Sequence, residues 1–167
     1  MNTGHVVTQS KTRLGDGQKE RVIESIAASL RARPELVFAY VHGSFLGGDF
    51  RDVDIAVYLN EGLAHEGHAA LSGDLGRQGP SRRRYDRICY ELDLEVHLER
   101  LSGLPVDVRV LNGAPPSFRF SVIKSGALLF CRDDALRCDF ECATFVEYHD
   151  VDYLRRTYRR EALGLGV

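Results

Sequence analysis

Nothing restricts the fold of this chain more than the stretch from Phe38 to Leu59. An apolar run, Phe38-Ala-Tyr-Val-His42, ends in Gly43-Ser44. After Phe45-Leu-Gly-Gly-Asp-Phe-Arg51 a second apolar run opens on two acids, Asp52-Val-Asp54-Ile-Ala-Val-Tyr-Leu59. The connection is too short for a crossover helix, so the two runs are expected to be antiparallel neighbours. Strand side chains alternate, which puts Asp52 and Asp54 on one face and Val53, Ile55 and Val57 on the other. Two carboxylates side by side repel unless something positive separates them, and a divalent cation suits that role. Gly43-Ser44 offers backbone N–H groups and a hydroxyl, which suit phosphate oxygens. The pattern therefore sets a candidate phosphate site one loop away from a candidate metal site.

The remaining pattern supplies the partners for these strands. Apolar residues Val22, Ile23, Ile26, Ala27 and Leu30 recur at helical spacing, which predicts a helix over 18–33 that stops before Pro34. Residues 60–84 lose all periodicity and read as a loop, with Arg82-Arg83-Arg84 as a solvated entry to the next helix or a nucleic-acid handle. A helix is expected over 85–101, ended by Gly103 and Pro105. Strands follow at 106–111 and 127–131, with a short helix at 117–124 between them. The chain closes on helical sequence over 133–163, with a break expected near His149-Asp150. Residues 1–17 read as a loose leader and 18–167 as one domain. The fold class is α+β: a small mixed sheet flanked by helices, two layers of α and β structure.

A third acid strengthens the first pattern. Asp107 lies in the otherwise apolar Val106-Asp-Val-Arg-Val-Leu111, where a carboxylate is costly to bury unless paired or bound to metal. If that strand lies beside the one led by Asp52, three carboxylates meet on one patch. Such a set could hold two magnesium ions, and Asp107 could take the proton of an attacking hydroxyl. The plainer alternative leaves Asp52 and Asp54 as solvated residues at a strand start and Asp107 paired with Arg109.

Composition narrows the partners. A formal net charge of −2 over 167 residues argues against a general affinity for nucleic acid or membrane surfaces. No segment is apolar enough to span a bilayer and none reads as a secretory signal, so the expected compartment is the cytoplasm. Cys89, Cys131, Cys138 and Cys142 lack the companions a zinc site needs and are expected as buried reduced thiols.

Gly-Ser, a short loop, Asp-x-Asp leading a strand and a third Asp on a later strand together resemble the DNA polymerase beta nucleotidyltransferase superfamily. The likeness is closer to its minimal members, the MntA-type antitoxins of HEPN/MNT toxin–antitoxin pairs, which carry a sequence like Val106-Asp-Val-Arg-Val-Leu-Asn-Gly-Ala-Pro-Pro116. The resemblance covers residues 18–160 and implies a polymerase-beta-like nucleotidyltransferase fold. It implies that Gly43 and Ser44 hold nucleotide phosphates, and that Asp52, Asp54 and Asp107 bind Mg2+ and carry catalysis. ATP would be the substrate, and AMP would pass to a tyrosine of a partner HEPN ribonuclease. The seven residues between Ser44 and Asp52 are fewer than the family usually has. Two alternatives stay open: an antitoxin that neutralises its partner by contact alone, and transfer to a small molecule. His42, where an aromatic is more usual, reads as a wall of the site. Tyr148, Tyr153, Leu154 and Tyr158 on the last helix read either as packing onto the sheet or as a partner surface.

Overall fold

The computed structural model describes residues 11–60 and 80–162. Residues 1–10 of the expected leader, most of the 60–84 loop and the side chains of Arg82, Arg83 and Arg84 lie outside the described residues. The elements in order are α1 (Asp16–Arg31), β1 (Leu36–His42), β2 (Val53–Leu59), α2 (Pro80–Ser102), β3 (Val106–Val110), α3 (Pro116–Ser125), β4 (Ala127–Cys131) and α4 (Asp134–Ala162). No described helix is long and apolar enough to cross a membrane.

The four strands form one mixed sheet in the order β3-β2-β1-β4. Antiparallel pairing joins β1 to both β2 and β4, whereas β3 runs parallel to β2. Alternation along β2 sends Val53, Ile55 and Val57 into a core with Ile26 and Leu30 of α1 and Leu94 and Leu98 of α2. The opposite face buries Phe38, Tyr40 and Ala56 with Val122 of α3, and Phe140 of α4 packs against them. Phe38 stacks on Tyr58 with ring centroids 4.6 Å apart.

Helix α2 starts at Pro80, upstream of the expected 85, since proline suits a first helical position. Its length serves the sheet edge. Glu91, Glu95 and Glu99 stand one turn apart and accept hydrogen bonds from the backbone N–H groups of Val110 (2.8 Å), Val108 (3.0 Å) and Val106 (3.2 Å). The outward donors of β3 are thereby satisfied by three charged acceptors.

The loop between β1 and β2 is held from several sides. It begins with a 3-10 turn, Gly43–Leu46, and buries Phe45 and Phe50 edge to face at 4.8 Å. Lys19 of α1 donates to the Gly47 carbonyl (2.5 Å), its ammonium over both rings, and Thr12 pairs with Phe50 through two backbone bonds.

Two expectations are corrected. Helix α4 runs unbroken through His149-Asp150: its sequence contains neither Gly nor Pro, and Phe120 of α3 stacks on Tyr148 at 4.0 Å. The four cysteines are free but not buried. Cys89 and Cys131 are half-buried, and Cys138 and Cys142 lie one turn apart on an exposed face of α4.

Candidate active site

Strand register decides which side chains share the patch. Parallel pairing sets Asp54 opposite Asp107, and antiparallel pairing sets His42 opposite Asp54. His42, Asp54 and Asp107 therefore form a row across β1, β2 and β3 on one face. Asp52 stands just before β2, two residues from Asp54, and all three acids are half-buried. The acids of two separate strands are thus brought together.

Gly43 shapes the end of this row. Its φ of +75° lies in the left-handed region that glycine adopts without cost. The backbone passes so close to Asp54 that a Cβ at position 43 would sit 2.9 Å from the Asp54 Cγ and nearer still to its Oδ2. Ser44 follows within the same 3-10 turn and is exposed.

Electrostatics show how close the acids are. The Asp54 carboxyl is pushed up to about 6, first by burial and then by the negative charges of Asp52 and Asp107, with Arg109 opposing. Burial lowers the His42 imidazole from its ordinary value against the pull of Asp107, so the ring is neutral around pH 7. The ring meets Phe118 edge to face at 5.7 Å, while its buried Nε2 has no hydrogen-bond partner among the described residues. Asp107 leans toward Arg109, whose Nη2 lies 3.1 Å from its Oδ1. Asp107 stands opposite Asp54 in the strand register and also pairs with Arg109. Among the described residues, no three His, Cys, Asp or Glu side chains close on a common point as a ready metal cage.

The donor set nonetheless suits a hard cation. Carboxylate oxygens are the ligands magnesium takes, and a positive ion between Asp52, Asp54 and Asp107 would remove the repulsion that raises Asp54. Asp107 would exchange Arg109 for the ion.

Sequence reasoning missed two contributors. Lys19 comes from another element, and no local pattern announces that it holds the loop. The contact between Gly43 and Asp54 follows from register, which the spacing alone does not specify.

A raised carboxyl has a stability consequence. Asp54 titrates near 3.8 when unperturbed and at about 6 in the fold, so its contribution to stability is fully present below 3.8 and lost as pH rises through 6. In chelator, Asp54→Asn is expected to raise the melting temperature at pH 8 and to change it little at pH 4. The gain is about 1 kcal/mol after allowance for solvent screening. Thermal melts at the two pH values check this; an equal effect at both would refute it.

Residues 24–135 match the family model described as polymerase beta nucleotidyltransferase. No curated protein matches the chain in sequence. Among solved structures, the chain is similar to one described as tri-AMPylated Shewanella oneidensis HEPN toxin in complex with MNT antitoxin. That match has a TM-score of 0.57 and 19% identity over 87% of this chain and 98% of that one. A second is described as the toxin–antitoxin MntA-HepT (TM-score 0.52, 18% identity, 89% and 99% covered). A third is a toxin–antitoxin structure with AMP-PNP (TM-score 0.55, 18% identity, 86% and 98% covered). At these identities the likeness is one of fold.

Proposed function

Because the chain belongs to the polymerase beta nucleotidyltransferase family, we propose that it is a magnesium-dependent adenylyltransferase acting on a protein, the antitoxin of a HEPN toxin pair. The observation that carries this reading is the register of Asp54 with Asp107 beside the left-handed Gly43. Asp54 and Asp107 in register, with Asp52 and the glycine–serine turn beside them, support a reading in which a triphosphate is held there. The similar structures support the partner class, one being described as a tri-AMPylated HEPN toxin in complex with MNT antitoxin and another as a toxin–antitoxin with AMP-PNP.

Asp52, Asp54 and Asp107 would hold Mg2+. When bound, the cation offsets charge on the triphosphate and lowers the pKa of the acceptor hydroxyl. Gly43 and Ser44 take phosphate oxygens through backbone N–H and hydroxyl groups. The acceptor tyrosine oxygen forms a bond to the α-phosphorus, and the bond from that phosphorus to the bridging oxygen of the β-phosphate breaks. Pyrophosphate leaves, and Asp107 takes the phenolic proton. The compact loop is anchored by Phe45, Phe50 and Lys19, so its short length gives a fixed cradle.

The test is to incubate the purified chain with α-labelled ATP, Mg2+ and the HEPN protein encoded beside it. The expected result is label on a tyrosine of the HEPN protein, and none in chelator. Neutralisation of the toxin with no label transferred would instead support an antitoxin that works by contact. Labelling of a small molecule alone would move the acceptor class.

A further inference from the structure

Helix α4 outruns the body it packs on. It leaves β4 where Arg132 donates to the Leu36 carbonyl (2.8 Å) and lays Phe140 against Phe38. It then passes Tyr40, whose hydroxyl bonds Glu141, and packs Phe145 and Tyr148 on Phe120 of α3, the helix whose Phe118 rests on His42. The helix thus travels the same way as β1, toward the end of the sheet that carries His42 and Asp54. Beyond that level, the ion pairs of residues 151–161 among the described residues lie within the helix, Arg156 with Asp152 and Arg160 with Glu161.

This free end has a defined chemistry. Val151, Leu154, Arg155, Tyr158 and Arg159 follow one helical stripe. Leu154 and Tyr158 are each 64% exposed, among the most exposed large apolar side chains described. Unlike their neighbours, Arg155 and Arg159 have no ion pair among the described residues. An apolar seam beside two uncompensated guanidinium groups one turn apart matches a helix with an apolar stripe and carboxylates at the same spacing. A second copy of this chain fits poorly, since pairing the stripes would set arginine against arginine. Nucleic acid fits less well, since phosphates would engage Arg155 and Arg159 but leave Val151 and Leu154 uncovered.

We infer that the free end of α4 is a docking arm for a helical, acid-flanked segment of a partner protein, held at the same end of the sheet as the transfer site. The inference deepens the adenylyltransferase reading by saying where the acceptor protein is gripped, and rests on it for the choice of partner.

The test measures binding of the HEPN protein to the full chain, to Leu154→Ala/Tyr158→Ala, to Arg155→Glu/Arg159→Glu and to Asp52→Ala/Asp54→Ala. Circular dichroism confirms folding; the arm positions are exposed, so the variants retain their helices. Each arm variant is expected to bind about tenfold or more weakly, tyrosine and arginine being common binding hot spots, with affinity unchanged in the acid variant. Arm variants that bind as the wild type does overturn the docking inference and leave the transfer reading standing. Self-association, or binding of a labelled single-stranded RNA, that is lost with Arg155→Glu/Arg159→Glu would overturn it as well. A wild-type chain that neither binds nor labels the HEPN protein overturns both readings.

Discussion

Replacing Asp52 and Asp54 together by alanine is expected to lower nucleotidyl transfer by about a thousandfold or more, while leaving a folded protein that is more stable above pH 6 without cation. On the proposed reading the three acids would hold the metal as a unit, and a cation at a phosphoryl centre is worth several kcal/mol of barrier. The gain in stability follows from the same geometry. Asp54 is raised by burial and by its two acidic neighbours, so the folded protein holds repulsion that alanine removes. Active sites commonly trade stability for chemistry in this way. Labelled-ATP turnover and thermal melts with and without Mg2+ check both halves. Full activity in the double variant would end the reading that these acids carry the transfer.

The second large effect is expected from the smallest change. Gly43→Ala places a methyl group against the Asp54 carboxylate, at a φ where an L-residue is already strained. The carboxylate must move, and a displacement of about 1 Å at a reacting centre can cost about a hundredfold in rate. The control is Gly103→Ala. Gly103 has a similar φ of +69°, yet among the described residues nothing lies within 4 Å of its added Cβ. That variant is expected to lose about 1 kcal/mol of stability from backbone strain and to keep its turnover. If both variants lose activity alike, strain rather than the contact with Asp54 is responsible, and the crowded approach has no catalytic meaning.

Most of the architecture was legible because it rests on local pattern. The two apolar runs, the short connection and the acids at the start of the second run dictate an antiparallel pair with its carboxylates on one face. Asp107 stood out because an acid inside Val106-Asp-Val-Arg-Val is costly without a partner; its partner is Arg109, and the strand register sets it opposite Asp54. What stayed hidden depends on contacts between distant elements. The reach of Lys19 to Gly47 spans two elements, and the continuity of α4 depends on Phe120 stacking against Tyr148. Exposure of Cys138 and Cys142 follows from which stripe of α4 packs, a choice made by Phe140, Thr144 and Tyr148 rather than by cysteine chemistry. Tyr148 itself was ambiguous between packing and display. The structure divides the group, with Tyr148 packed and Tyr153, Leu154 and Tyr158 displayed.

The glutamates of α2 have a bearing on what this sheet can join. A strand at a sheet margin normally offers a row of N–H groups on which a foreign chain can template itself. On β3 the donors of Val106, Val108 and Val110 are already taken. Growth of the sheet by strand addition is therefore barred on the side nearest the acids. Sliding β3 by one residue would break three charge-assisted bonds at once and turn Asp107 to the opposite face. The same lock that discourages aggregation also keeps the third carboxylate in line with the other two.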